Sequence, residues 1–316
     1  MSNPIFKFET AQRVKSKASI LIEGLSGSGK SGLALCLAYG LTKKQWNKVF
    51  ALDTENKSLQ LFANNPTSVG GNFGEFQIGK LTSDVGYKPS YYLAYRDIAK
   101  KQGAEVFIND SISHAWQYKG GVLDIVTQKQ ANQKNQYTAW GNEEVVTEKN
   151  KLLDIIRDED IHVISTVRVK EKHEIIDGKP VSLGEQQIQQ GDLKYEPDLV
   201  LSMVQPGSVS EKGMVTHPVA LVTKTRYAIF EKEQQYEFTP ELIEQLRLYL
   251  EEGEDPAVIL QKQKEEYVQA VTDYLNANKS AVAIWNVLKT DAGYPDTKLA
   301  ELPLSVIKTL YLKITE

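Results

Sequence analysis

Short apolar runs alternate with polar stretches over the first two thirds of the chain. Ala18-Ser19-Ile20-Leu21-Ile22-Glu23 and Val49-Phe50-Ala51-Leu52 are brief, bounded by turn residues and read as buried strands. Gly103-Ala104-Glu105-Val106-Phe107-Ile108-Asn109-Asp110 and His162-Val163-Ile164-Ser165-Thr166 read the same way. Leu199-Val200-Leu201-Ser202-Met203-Val204 and Val219-Ala220-Leu221-Val222-Thr223 follow, with fewer helices between them. Gly32-Leu33-Ala34-Leu35-Cys36-Leu37-Ala38 after the first strand is an apolar helix. From Ala18 to about Glu231 the alternation predicts an α/β fold with a mostly parallel central sheet. The second strand runs into Asp53-Thr54-Glu55 and the third ends in Asp110. Ligands gather at the carboxyl ends of such strands, so these acids stand where a ligand belongs.

Two stretches interrupt the pattern. Residues 128–136 form a polar tract without an apolar face, a solvated loop or the surface of a helix. Residues 168–194 open with Arg168-Val169-Lys170-Glu171-Lys172-His173 and hold the turn signal Asp177-Gly178-Lys179-Pro180. They predict a hairpin or a mobile loop leaving the sheet. A second region begins near Phe238. Thr239-Pro240-Glu241 and Asp255-Pro256 are helix starts. Apolar spacing continues through residues 281–288, Gly293 suits a helix C-terminus, and residues 305–312 predict a last helix. The expected division is a core over 1–237 and a small helical C-terminal region over 238–316.

Composition narrows the class of protein. The chain has 316 residues, 41% hydrophobic and 25% charged, as in ordinary globular proteins. Its one cysteine, Cys36, excludes an internal disulfide and suits a reducing compartment. The four histidines lack metal-ligand spacing. No apolar run approaches a membrane span and the start lacks the apolar core of a signal peptide, so a cytoplasmic location with no membrane partner is expected. A net charge of −4 gives no general attraction to nucleic acid, and residues 231–266 carry eleven acids against four Lys/Arg. Any DNA contact has to come from a local basic patch.

The sharpest chemistry lies in Gly24-Leu25-Ser26-Gly27-Ser28-Gly29-Lys30-Ser31, which fits G-x-x-x-x-G-K-[ST]. Glycines at Gly24, Gly27 and Gly29 let backbone N–H groups close around an anion. The side chain of Lys30 adds charge for β- and γ-phosphates, and the Ser31 hydroxyl suits Mg²⁺. The strand before and the helix after supply the context this motif needs. ATP with Mg²⁺ is the expected ligand pair. Asp110 suits the Mg²⁺ role through a coordinated water, or caps the helix that follows. Glu55 is the candidate base for an attacking water, or it starts a helix over residues 56–63. Thr166, at a strand end, could sense the γ-phosphate.

Together these pieces resemble a RecA-like P-loop ATPase, most closely the phage-encoded RecA-like nucleotide-binding proteins of single-strand recombination. The resemblance rests on Gly24 to Ser31, Val49 to Glu55, Val106 to Ser111, His162 to Thr166 and Leu221 to Arg226, with Trp140-Gly141 resembling the phage group. It covers roughly residues 15 to 235. It implies that Glu55 activates water and Asp110 attends Mg²⁺. Thr166 stands where RecA proper carries glutamine. Lys224 and Arg226 stand where relatives carry basic residues that reach a neighbouring subunit's nucleotide, which implies a homo-oligomer; two exposed charges on an edge strand are the other reading. Residues 128–136 and 168–194 fall where the family's DNA-binding loops lie. Lys129, Lys134, Arg168, Lys170 and Lys172 would contact phosphates there, and Trp116, Tyr137 or Trp140 would stack on bases, though Trp140 also suits a core. The implied function is ATP hydrolysis in single-stranded DNA recombination or annealing. The C-terminal helices would then dock a single-stranded-DNA-binding protein, or they simply cover the sheet edge. The alternative is an ATP-switched regulatory or assembly protein that does not bind DNA directly.

Overall fold

A computed structural model describes residues 10–315 except 56, 68–70, 132–135, 177–178, 188–192 and 205–216. The first strand, β1 (Ser19–Gly24), leads through a five-residue turn into α1 (Lys30–Leu41). Next come β2 (Val49–Asp53), the two-residue strands β3 (Pro66–Thr67) and β4 (Gly71–Asn72), β5 (Gln77–Lys80), α2 (Pro89–Lys101) and β6 (Val106–Asp110). Helices α3 (Ser113–Gln117), α4 (Val122–Gln130) and α5 (Glu143–Asp154) lead to the long strand β7 (His162–Ile176). Strands β8 (Lys179–Gln187), β9 (Leu199–Met203), β10 (Val219–Thr225) and β11 (Gln235–Glu237) complete the β part. Four helices follow: α6 (Pro240–Glu251), α7 (Pro256–Ala277), α8 (Lys279–Asp291) and α9 (Leu304–Thr315).

Among the described residues the main sheet runs β11-β10-β9-β1-β7-β6-β2-β5. Strands β9, β1, β7, β6, β2 and β5 are parallel neighbours, and β10 turns antiparallel to both β9 and β11. The fold is α/β, with helices on both faces of a mostly parallel sheet. The central strands β1, β2 and β6 are mostly apolar because both faces are covered, while β5 and β11 at the edges are polar and more exposed. Alternate residues feed opposite layers. Ile20, Ile22, Ala51, Val106 and Ile108 join the layer that holds α1, while Leu21, Phe50, Leu52 and Phe107 join the layer that holds Tyr92 of α2 and Leu152 of α5. The stretch from residue 168 is a hairpin: β8 pairs antiparallel with the distal part of β7. Its turn, at Asp177-Gly178, lies outside the described residues.

The core extends past the boundary expected at residue 237. Phe238 and the Ile243, Leu246 and Leu250 face of α6 are buried in the same layer as α1. Each such side chain contributes about 1.5–3 kcal/mol when fully buried. Gly40 permits the contact, since a Cβ there would overlap Ile243. One compact unit therefore spans Lys17–Leu250. The other takes the described residues up to Ser16 together with those from Glu251 onward. Within it, Lys15 N donates to Glu254 O and Glu254 N to Arg13 O, both at 3.0 Å. Its helices close on Tyr267, Val271, Trp285, Ile307 and Leu310. Asp255 caps α7 by accepting from Ala257 N at 3.0 Å, and Gly293, at φ +85°, lies just beyond α8.

Candidate active site

Register brings the ends of β1, β6 and β2 level with Thr166, which lies within the long β7 and not at the strand end expected for it. Ile22 pairs with Thr166, Asn109 with Ser165, and Asp53 with Asp110. The turn from Gly24 to Lys30 therefore sits beside the ends of β6, β2 and the middle of β7. Gly27 and Gly29 have φ +79° and +91°, a region that L side chains avoid. A Cβ on Gly27 would meet nothing within 4 Å, so the ground above the loop is open to an anion. At Gly24 a Cβ would come within 2.6 Å of Ser28 Oγ and 3.0 Å of Met203 Cβ. Ser26 lies exposed on the loop. Ser28 Oγ is buried without a hydrogen-bond partner. Lys30 is only 8% exposed, and its Nζ donates to Gly24 O at 3.0 Å and Leu25 O at 2.8 Å. The loop thus sets the Lys30 cation and the N-terminal N–H groups of α1 beside the open ground above Gly27, which fits a polyphosphate.

Beside it, Asp110 is almost fully buried. Ser31 Oγ donates to its Oδ2 at 2.8 Å and Thr166 Oγ1 to its Oδ1 at 2.5 Å. Burial pushes the Asp110 carboxyl up to about 6, against the opposing pull of those two hydroxyls. Thr54 ties β2 to β6: its N donates to Asp110 O at 2.7 Å, and its Oγ1 accepts from Ser111 N at 2.9 Å. His114 Nδ1 lies 2.6 Å from the same Thr54 oxygen. Among the described residues no group of three or more His, Cys, Asp and Glu side chains could hold a metal. A hydroxyl and a single carboxylate, both hard oxygen donors, nonetheless fit Mg²⁺, which keeps several waters and substrate phosphates as ligands.

The acids after β2 have separate duties. Asp53 accepts from Glu55 N at 2.7 Å and Leu59 N at 3.3 Å, so it caps the following turn. Burial raises its pKa. The expected helix over 56–63 is instead a single 3-10 turn, Leu59–Phe62, and Asp53 rather than Glu55 braces it. The Glu55 side chain is spent on an ion pair: Arg168 Nε donates to its Oε1 at 2.7 Å. The Arg168 Nη1 donates to Tyr118 Oη at 3.3 Å, and its backbone N to Ser113 Oγ at 2.9 Å.

Other sequence candidates are placed elsewhere. Lys224 and Arg226 lie at the opposite rim, since β10 runs antiparallel and Lys224 pairs with Val200 near the start of β9. There Lys224 Nζ donates to Tyr195 O and Pro197 O, each at 2.6 Å, and Arg226 pairs with Asp198 at 2.8 Å. They do not reach the phosphate loop of their own chain. Lys129, in the last turn of α4, pairs with Glu144 at 2.8 Å. Trp140 is 37% exposed, not core, and leans on Trp116 with ring centroids 6.4 Å apart. Lys134 and the side chains of Tyr137, Lys170 and Lys172 lie outside the described residues. A cavity of about 870 Å³, lined by Tyr39, Trp46, Phe73, Phe238 and Arg247 among others, opens at the far end of α1 and includes no phosphate-loop residue. Sequence reasoning missed Thr54, His114 and the partnership of Arg168 with Glu55. The last had a signal: Arg168 stands two residues beyond Thr166 on one strand and so faces the same side.

Strand, glycine-rich turn and helix, with Ser31 and the strand-end Asp110 in contact, define a P-loop nucleoside triphosphatase. The chain belongs to the AAA domain family, whose model matches residues 16–237, well over half of its length. Nucleotide binding and hydrolysis is therefore its class of activity. No curated protein matches the chain. Among the described residues no helix is long and apolar enough to cross a membrane.

Proposed function

We propose that the protein is an Mg²⁺-dependent ATPase of the RecA-like, phage type that acts as a homo-oligomer on single-stranded DNA in recombination or annealing. The observation that carries the ATPase part is the convergence of Lys30, Ser31, Asp110, Thr166 and Glu55 on one rim. ATP phosphates would take the N–H groups of the loop and draw Lys30 Nζ from the carbonyls of Gly24 and Leu25. Ser31 and Asp110 would hold Mg²⁺, which supplies positive charge to the phosphates when bound. Thr166 fixes the rotamer of Asp110 through its hydrogen bond, a positioning role beside any sensing of the γ-phosphate. Glu55 orients the attacking water and takes its proton.

The DNA and oligomer parts rest on the resemblance. Lys224 and Arg226 sit away from their own phosphate loop, as residues serving a neighbour's nucleotide would. The chain from Glu251 onward offers separate helices for docking a single-stranded-DNA-binding protein, and the host cytoplasm is the setting this reading requires. One observation favours the alternative, an ATP-switched regulatory protein without direct DNA contact. Two of the cations proposed for DNA, Lys129 and Arg168, are already neutralised by Glu144 and Glu55. Fluorescence anisotropy with labelled single-stranded DNA separates the two. Saturable binding that tightens with a non-hydrolysable ATP analogue and weakens with salt supports the first. No binding at low salt, with or without the analogue, leaves the second.

A further inference from the structure

The ion pair between Glu55 and Arg168 has a consequence for how hydrolysis is timed. Both side chains are partly buried, at 22% and 30% exposure, so the pair is better shielded from water than a surface pair. The guanidinium also donates to Tyr118 Oη, and the Ser113 hydroxyl anchors the backbone N of the same residue. A carboxylate oxygen that accepts a charge-assisted bond from a fixed guanidinium is a poorer acceptor for a water proton. Glu55 therefore has to give up Arg168 before it works as a base. The strand carrying Arg168 is continuous. It binds Asp110 through Thr166, reaches Arg168 two residues later, and runs on to Ile176 in the hairpin with β8.

We infer that Arg168 is a positioning residue that holds Glu55 idle, and that parting of this ion pair precedes turnover. This rests on the proposed role of Glu55 as base. The test is steady-state phosphate release by the full chain with Mg²⁺ and ATP, without DNA or partner protein. Arg168→Ala is expected to raise kcat about fivefold, the worth of one partly shielded ion pair, with KM for ATP changed less than twofold. Arg168→Lys, which keeps the charge but not the planar fork, is expected to fall between the wild-type and alanine rates. If Arg168→Ala does not fold by circular dichroism, Arg168→Gln takes its place with the same expectation. The double variant Glu55→Gln/Arg168→Ala should be as slow as Glu55→Gln alone. An alanine or glutamine variant at or below the wild-type kcat overturns the inference, as does a double variant as fast as Arg168→Ala. Wild-type turnover in Glu55→Gln alone would instead remove the base assignment beneath it.

Discussion

Two carboxylates two residues apart do different work here. Asp53 is buried and accepts two backbone N–H groups, so it shapes the turn, while Glu55 extends to Arg168. His114 completes that neighbourhood. It is buried against Thr54, with the rings of Tyr87 and Tyr118 at 5.0 and 4.3 Å. Burial first, then the Arg168 charge, push its pKa down to about 4, against Glu55 and the Thr54 bond, which pull it up. A base with a depressed pKa in the folded state binds its proton only in the unfolded state between the two values. Its contribution to stability is thus present above pH 6.5 and lost as pH falls towards 4. The His114 contribution to stability, read from urea titrations between pH 7.5 and 4.5, is expected to fall by on the order of 1 kcal/mol per pH unit in that window, against the opposite slope that the raised Asp110 carboxyl adds. His114→Gln should flatten this slope, and an unchanged slope would contradict it. The phosphate loop was legible from sequence because Gly27 and Gly29 need positive φ, and few residues tolerate that. The Glu55–Arg168 pair was not, because its members are 113 residues apart and only the parallel register of β2, β6 and β7 brings them together.

At the level of elements, the buried strands were legible because each is apolar on both faces. The 3-10 turn after Glu55 was not, since local pattern allowed a helix and the cap on Asp53 spans only a few residues. The start of α6 was read correctly at Thr239-Pro240, but an amphipathic helix does not declare which core it covers. Ile243, Leu246 and Leu250 fit a separate bundle as well as a sheet face, and the structure places them on the sheet. The approach depends on Gly40, where a Cβ would overlap Ile243. Gly40→Ala is therefore expected to destabilise the protein by about 1–3 kcal/mol through overpacking, despite the better helix propensity of alanine. Denaturant titration checks this, and a stability equal to or above wild type would mean that α6 yields freely.

For the whole molecule, the buried clusters respect the boundary at Leu250. The two sheet layers draw only on Lys17–Leu250, and the C-terminal cluster only on residues beyond it. A fragment spanning 17–250 is expected to fold and bind a fluorescent ATP analogue like the full chain. A fragment ending at 238 is expected to aggregate or lose binding, since it strips α6 from the core. Equal binding by both would return the boundary to the position read from sequence. The central claim, that these residues form an ATPase with Glu55 as its base, meets its most direct test in one comparison. Phosphate release by Glu55→Gln is measured against wild type, with ATP binding monitored in parallel. The variant is expected to keep ATP affinity and lose turnover by about 10²–10⁴-fold, the usual worth of a general base. Wild-type turnover in a folded, ATP-binding Glu55→Gln variant would contradict it.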